Sequence, residues 1–263
     1  MQDRTSNPAA APLLRCEGLT KRFGDRIAVE GVSFEVQPGE AYGLLGPNGA
    51  GKTTTIGMLT GLLDADAGSI VVAGASLSHD RAGVQRALGY VPQDIALYPD
   101  LAARENLSFF GRLYGLRGAV LRARIGEVLD LVDLADRAND RVDTFSGGMK
   151  RRVNLAAGLL HEPKVLIVDE PTVGVDPQSR NAILERIGAL NRDGMALIYT
   201  SHYMEEVERL CHRIGVMDEG RMIAEGTRAE LVATLGQADR IDVEVAGLDR
   251  PLLASLEAHA LVE

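Results

Sequence analysis

The sequence predicts an α/β protein: a buried parallel sheet with helices, an antiparallel β subdomain, a helical insert and a short C-terminal α/β appendage. Residues 41–45, 165–168 and 196–200 are short, continuous apolar segments, which is typical of strands buried on both faces of a parallel sheet. A helical pattern follows each of these segments along the chain. Alternation of strand and helix is the pattern of an α/β fold.

Two strands are predicted ahead of the first buried strand, at residues 13–19 and 32–36. Apolar positions alternate in the second of them, as they do in a strand with one buried face. Turns are predicted at residues 23–25 and at Pro38-Gly39. These strands and turns account for the antiparallel subdomain.

A helical insert is predicted between about residues 95 and 150, where the strand–helix alternation stops. Between residues 100 and 136, strand signals are missing and apolar residues recur at helical spacing. These residues are Leu101, Leu107, Phe110, Leu113, Ile125, Leu129 and Val132. The alternation then returns, with helices predicted at 148–160, 177–191 and 204–211 and a hairpin at 213–217 and 221–224.

The main domain is predicted to span residues 13–226, and an appendage residues 227–263. A short helix is expected after Gly226, followed by a strand at residues 241–245 and a helix at residues 251–259. The appendage is either a short natural one or the start of a domain that has been cut. The sequence does not decide between them.

Composition narrows the classes of function. Hydrophobic residues make up 46% of the chain, charged residues 25%, and the net charge is -9. An acidic total does not favour a nucleic-acid partner, although a local basic patch is compatible with it. Cys16 and Cys211 are far apart and have no metal-like spacing, which favours two reduced thiols. No apolar run is long enough to span a bilayer, so we expect a cytoplasmic protein that reaches the membrane only through a partner.

A glycine-rich loop directly follows the buried strand at residues 41–45 and precedes a predicted helix at 52–62. Its residues match GxxxxGK[ST] at every constrained position, and Thr54 comes next. The matching residues are Gly46, Pro47, Asn48, Gly49, Ala50, Gly51, Lys52 and Thr53. Glycines let backbone N–H groups curl around phosphate oxygens at the positive end of a helix. The pattern predicts an ATP phosphate loop in which Lys52 contacts β- and γ-phosphates and Thr53 ligates Mg²⁺.

Two carboxylates end the buried strand at residues 165–168. Asp169 and Glu170 should emerge beside the phosphate loop, because ligands bind at the carboxyl ends of parallel strands. Asp169 fits a Mg²⁺ partner and Glu170 fits a base that polarises water. Taken alone, such a pair is also common at a solvated turn; it is the combination with the phosphate loop that favours the catalytic interpretation.

A second candidate anion site lies at Ser146, Gly147 and Gly148, which open a predicted helix. Its segment, residues 145–152, resembles the ABC signature LSGGQ, with Phe145 in place of Leu and Met149 in place of Gln. A serine and two glycines at a helix start could equally serve as a plain helix cap.

The order and spacing of the motifs resemble an ABC transporter ATP-binding subunit over residues 13–226. The resemblance implies a P-loop NTPase (RecA-like) core and identifies Gln93 with the Q-loop glutamine that links the Mg²⁺ and water region to the insert. It also implies a D-loop aspartate at Asp176 and a switch histidine at His202. Phe23 would stack on adenine with Val29 nearby, or Phe23 would simply be a core aromatic. The residues around 148–152 and 200–206 are most similar to drug and antibiotic-resistance exporters.

The resemblance also implies partners and a mechanism. Two subunits, expected to be a homodimer, would enclose two ATP molecules, with the phosphate loop of one facing the signature of the other. A separate integral-membrane permease would dock near Leu97, Tyr98 and Leu101. The alternative is a non-transport ABC ATPase that acts on ribosomes or DNA. A GTPase would need an Asn-Lys-x-Asp motif, which we do not find. The transported molecule and the direction of transport are not encoded in these motifs.

Overall fold

Two sheets organise residues 11–234, the part of the chain that this computed structural model describes. The strands there are β1 (Leu14–Phe23), β2 (Arg26–Val36), β3 (Ala41–Leu45), β4 (Ala67–Val72), β5 (Ala75–Ser76), β6 (Leu88–Val91), β7 (Val165–Asp169), β8 (Ala196–Ser201), β9 (Arg213–Asp218) and β10 (Arg221–Gly226). The helices are α1 (Lys52–Leu59), α2 (Arg81–Ala87), α3 (Ala103–Leu113), α4 (Gly118–Leu131), α5 (Gly147–Leu159), α6 (Pro177–Arg192), α7 (Met204–Leu210) and α8 (Arg228–Thr234).

The larger sheet has the strand order β10-β9-β3-β8-β7-β6. Every pair from β9 to β6 is parallel, and β10 joins β9 antiparallel. Every residue of β7 and β8 is buried, which explains their continuous apolar sequences. Because β3, β8 and β7 run in the same direction, the segments that follow them meet at one edge of the sheet.

The smaller sheet is antiparallel, with the order β2-β1-β4-β5. β1 and β2 extend well beyond the predicted residues 13–19 and 32–36, because pairing continues through register shifts almost to the turn. β4, β5, α2 and β6 occupy residues 67–91, where the sequence analysis assigns no element. The first half of β4 is exposed, so it lacks the strict alternation that marks a strand in the sequence.

α3 and α4 lie between β6 and α5 and are joined to the core by apolar packing. Leu107 of α3 and Leu121, Ile125 and Leu129 of α4 are buried in one cluster with residues of α5 and of the parallel sheet. The helical spacing read from the sequence therefore appears as two helices. In residues 11–234, no helix is long and apolar enough to cross a membrane.

Among the described residues, 11–231 form one compact unit, and residues 232–234 belong to a second. The strand predicted at residues 241–245 and the helix predicted at 251–259 lie outside the described residues. The limits predicted for the main domain, the insert and the appendage remain predictions.

Asn106 of α3 fixes the loop in front of that helix. Its fully buried amide accepts a hydrogen bond from Tyr98 N (2.8 Å) and donates to Tyr98 O (3.0 Å) and Ala102 O (3.1 Å). The two carbonyls also accept from Leu101 N and Asn106 N, so the amide is the partner of Tyr98 N and a second donor to both carbonyls.

Replacing Asn106 with Ala is expected to lower the free energy of unfolding by about 1–3 kcal/mol, because the hydrogen bonds of a fully buried amide are lost and Tyr98 N loses its acceptor. Denaturant unfolding measures this loss. Asn139, which is exposed, supplies the control: Asn139→Ala should stay within about 0.5 kcal/mol of the parent. Equal stability of the two variants would contradict the assigned role.

Candidate functional site

The phosphate loop connects β3 to α1 and is locked in place by neighbouring backbone. Gly51 precedes α1 with φ 100°, and a Cβ at this position would lie 2.7 Å from Ala28 O. A side chain here would therefore be strained and would also clash with β2. Gly220 N, in the β9–β10 turn, donates to Ala50 O (3.0 Å), which ties the loop to that turn as well.

Lys52, the first residue of α1, is buried with only 4% of its side chain exposed. Its ammonium donates to Gly46 O (2.7 Å) and Pro47 O (3.1 Å) and lies 3.3 Å from Glu170 Oε1. The lysine therefore bridges the two ends of its own loop and reaches the end of β7. This is the placement that phosphate contact requires.

The two carboxylates after β7 diverge because Glu170 takes a left-handed backbone, with φ 41°. Glu170 N donates to Thr200 Oγ1 (3.0 Å), which holds this turn against β8. The Glu170 carboxylate lies between two groups: Oε1 faces Lys52, and Oε2 is 3.3 Å from His202 Nδ1. A carboxylate so placed can align a water molecule for attack on a phosphate bound by the loop.

Asp169 is buried, and only one of its oxygens has a partner. Oδ1 accepts a hydrogen bond from Thr200 Oγ1 (2.5 Å), and Oδ2 is buried without a hydrogen-bond partner among the described residues. Burial raises the pKa of Asp169, while Thr200 and Thr53 act in the opposite direction. The unpartnered carboxylate oxygen of Asp169 and the nearby Thr53 hydroxyl are both oxygen ligands, the kind that Mg²⁺ prefers.

A cavity of about 560 Å³ brings nine of the predicted site residues together, whereas Gly46, Pro47, Ala50, Asp169 and His202 do not line it. Its wall contains Phe23, Arg26, Ala28, Asn48, Gly49, Gly51, Lys52, Thr53, Thr54, Gln93 and Glu170. Phe23 is 52% exposed, so its ring face is available for stacking. Val29 does not line the cavity: it is fully buried in the core, because successive side chains of β2 point to opposite faces. Ala28 takes the place that the sequence analysis gave to Val29.

Ser146, Gly147, Gly148 and Asp176 do not line this cavity. Ser146 caps α5 by accepting from Met149 N (3.3 Å), so the capping interpretation holds. The same geometry leaves Ser146 and Gly147 exposed. Asp176 caps α6 by accepting from Ser179 N (2.9 Å), and these interactions with Ser179 lower the pKa of Asp176.

Three residues with structural contacts at the site were missed from the sequence. Thr200 Oγ1 donates to the Asp169 carboxylate and accepts from the backbone N–H of Glu170. The Arg151 guanidinium donates to Gln93 O and to Val173 O (3.1 Å), so it joins α5 to the segments that hold Gln93 and Asp176. Glu206 is a buried carboxylate of α7. Arg151 and Glu206 lie in the two segments that resemble exporter subunits, but the resemblance gave neither a role. Only the position of Thr200, two residues before His202 at a strand end, could have signalled that residue.

Curated proteins similar to this chain are ATP-binding proteins of bacterial export and resistance systems. The linearmycin resistance ATP-binding protein LnrL of Bacillus subtilis is 51% identical over 250 residues, which cover 95% of this chain and 80% of the relative. The Nod factor export ATP-binding protein I of Paraburkholderia xenovorans is 48% identical over 237 residues, 90% of this chain and 77% of the relative.

Solved structures show the same fold. An ATP-binding subunit of an ABC transporter has a TM-score of 0.77 and 32% identity, and the match covers 85% of this chain and 93% of that one. The ATP-binding cassette MJ0796, in a dimeric post-hydrolysis state with ADP and Pi, has a TM-score of 0.73 and 25% identity, over 81% and 98% of the two chains. The family model described as ABC transporter matches residues 29–173. With its phosphate loop, acid pair and fold in agreement, the chain belongs to the ABC transporter family, as an ATP-binding subunit.

Proposed function

We propose that this chain binds and hydrolyses ATP in a homodimer, and that the cycle powers export through a separate membrane permease. The observation that carries the proposal is the position of Glu170, whose carboxylate lies between the phosphate-loop lysine and His202. The names of the two relatives describe linearmycin resistance and Nod factor export, and they support export as the direction of transport.

Each step of hydrolysis has a residue in place. The phosphate loop holds the β- and γ-phosphates, with Lys52 as the point charge, and the exposed ring of Phe23 offers a stacking surface for the base. Glu170 orients water in line with the γ-phosphate and accepts its proton, and His202 holds the other side of that carboxylate. Gln93 lines the same cavity. Because the chain runs from Gln93 to α3, a change at Gln93 when nucleotide binds would alter the position of that helix.

Mg²⁺ would be held by Asp169, Thr53 and phosphate oxygens, with Gln93 within the same cavity. When bound, the ion would neutralise charge that develops on the phosphates. In residues 11–234 no cluster of three or more His, Cys, Asp or Glu side chains could hold a metal. The site therefore fits an ion that depends on the nucleotide for several of its ligands, as Mg²⁺ usually does.

A second copy of the chain would complete the site. Ser146 and Gly147 are exposed at the start of α5 and do not reach the cavity of their own chain. A helix N-terminus with exposed N–H groups favours an anion. Two copies related by a twofold axis would each place this helix start against the γ-phosphate held by the other. The dimeric, ADP- and Pi-bound structure of MJ0796 is a precedent for such pairing.

The permease would dock beside the loop in front of α3. Tyr98 (49% exposed), Leu101 and Phe109 expose apolar surface there, and the rings of Tyr98 and Phe109 meet edge to face at 5.1 Å. Leu97 packs partly against the core instead. An exposed aromatic patch suits a helix of a partner. Through it the chain would lie on the inner face of the cell membrane.

Glu170→Gln should keep ATP binding and reduce hydrolysis by about 10²-fold or more, because the amide cannot take the proton of the attacking water. Phosphate release measures hydrolysis, and light scattering should show an ATP-dependent dimer. Glu162→Gln, an exposed position, is the control. Normal turnover by Glu170→Gln would refute the role of Glu170, and a monomer saturated with ATP would refute the shared site.

Asp169→Asn should raise the melting temperature of the nucleotide-free, EDTA-treated protein at pH 7 by about 2–4 °C, the shift that accompanies roughly 1 kcal/mol at this size. Burial raises the pKa of Asp169, so its contribution to stability is full below the unfolded pKa of about 3.9 and is lost as the pH rises through the folded pKa. At pH 7 the charged form therefore costs stability, and Asn removes that cost.

The same variant should lose the additional stabilisation that Mg-ATP confers over ATP with EDTA. Asp136→Asn, at an exposed position, should match the parent in both measurements. A nucleotide-free Asp169→Asn protein that melts below the parent, or one that retains the full Mg²⁺-dependent shift, would contradict the assignment of Asp169.

Tyr98→Ala combined with Phe109→Ala should reduce the fraction of the chain that sediments with the membranes of its native host at least several-fold, because the apolar contact is removed. The ATPase rate of the purified protein should stay within about twofold, since neither ring lines the nucleotide cavity. Leu62→Ala, which alters a side chain that is 72% exposed, is the control. An unchanged membrane fraction would contradict docking at this patch.

A further inference from the structure

The carboxylate of Glu206 is the buried meeting point of segments that flank the site. It is 3% exposed on α7, and none of the catalytic roles assigned above involves it. Oε2 accepts hydrogen bonds from Tyr199 OH (2.9 Å) and Ser201 Oγ (2.8 Å), and Oε1 accepts one from Thr172 Oγ1 (2.7 Å). Arg180 Nε lies 3.6 Å from Oε1.

The partners of Glu206 come from both sides of the catalytic acid. Ser201 directly precedes His202, and Ser201 Oγ also accepts from Tyr203 N (3.0 Å), so these contacts bracket the histidine. Thr172 follows Glu170 by two residues. Arg180 lies in the first turn of α6, the helix that Asp176 caps, and its guanidinium stacks 4.9 Å from the Tyr203 ring.

The groups around Glu206 indicate why a carboxylate, and not an apolar side chain, occupies this buried position. A buried ion is costly, and an apolar residue of similar size is often at least as stabilising. Three hydroxyls donate to Glu206, from Tyr199, Ser201 and Thr172. The Arg180 guanidinium lies beside it at ion-pair distance without a hydrogen bond. A side chain that accepts at both ends is the one that suits these neighbours together. Burial and the adjacent Glu206 raise the pKa of Tyr199, which keeps that hydroxyl protonated as a donor.

We propose that Glu206 is a positioning residue that sets His202 against Glu170 and couples the His202 segment to the start of α6. The inference rests on the proposed function. One end of Glu206 holds the segment that faces the γ-phosphate, and the other holds the segment that leads to Asp176. A shift of either segment is therefore transmitted through one rigid group to the other.

Glu206→Gln tests the coupling, because the amide turns one accepting end into a donor that faces other donors. We expect kcat for ATP to fall by about 10- to 100-fold, as displaced catalytic groups do. KM should stay within about twofold, since no phosphate-loop contact changes. Glu205→Gln, the exposed neighbour, should retain the parent kcat.

A double-mutant cycle with His202→Ala separates positioning from packing. If Glu206 acts through His202, Glu206→Gln should reduce kcat by less than about twofold further in the His202→Ala background, although it reduces it strongly in the parent. Independent, multiplicative losses would overturn the proposal, and so would a parent-like kcat of Glu206→Gln.

If thermal unfolding shows that Glu206→Gln does not fold, two milder variants test the same coupling. Ser201→Ala removes only the link to the histidine segment, and its effect on kcat should also vanish in the His202→Ala background. Thr172→Val removes the hydrogen bond between Glu206 and the segment that leads to Asp176, and it should weaken ATP-dependent dimerisation of the Glu170→Gln protein. Parent-like behaviour of both would overturn the coupling, whereas a parent chain without ATPase activity would instead defeat the proposed function.

Discussion

The parallel pairing of β3, β8 and β7 is the constraint on which the site depends. The register sets Leu45 beside Ser201 and Asp169 beside Thr200. The loops that follow these strands therefore start at the same edge, and Lys52, Glu170 and His202 come within ion-pair distance although they are far apart in sequence. Any slip of one strand would separate them, because each strand presents its last side chain at a fixed place.

Buried charge is the second consequence of this arrangement. Lys52, Asp169 and Glu170 are all buried at the edge of the sheet, and such groups are tolerated only when they are paired. The lysine faces Glu170, which leaves Asp169 with one oxygen unsatisfied. The site is thus complementary to a cation with phosphate ligands. The buried, unpaired oxygen lowers the stability of the fold, and such a cost is common at functional sites.

The sequence predicts the parts of the fold that have strong local signals. The phosphate loop needs glycine at positions where backbone geometry allows no side chain, and β3, β7 and β8 are apolar except at the ends of β7 and β8, so both are visible without a structure. β6 has four residues and gains its partner β7 from a distant part of the chain, and β4 pairs with the distant β1 as well as with the neighbouring β5. That Ala28 rather than Val29 lines the cavity follows from which face of β2 points to the site, and the sequence pattern does not show this because the β1–β2 register is irregular. Glu206 is invisible for the same reason, since its partners come together only in the tertiary fold.

Arg151 shows how the separate surfaces of the subunit can act together. It belongs to α5, the helix that Ser146 caps, and its guanidinium holds the carbonyls of Gln93 and Val173. Burial lowers the pKa of Arg151, yet a guanidinium stays charged at any physiological pH. A partner subunit that contacts the N-terminus of α5 and moves this helix would therefore displace two loops at once. One of these loops leads to Asp176. The other contains Gln93 and leads to the exposed ring of Tyr98. The same three-way link would carry a push at Tyr98 back to the nucleotide, because coupling between sites is reciprocal.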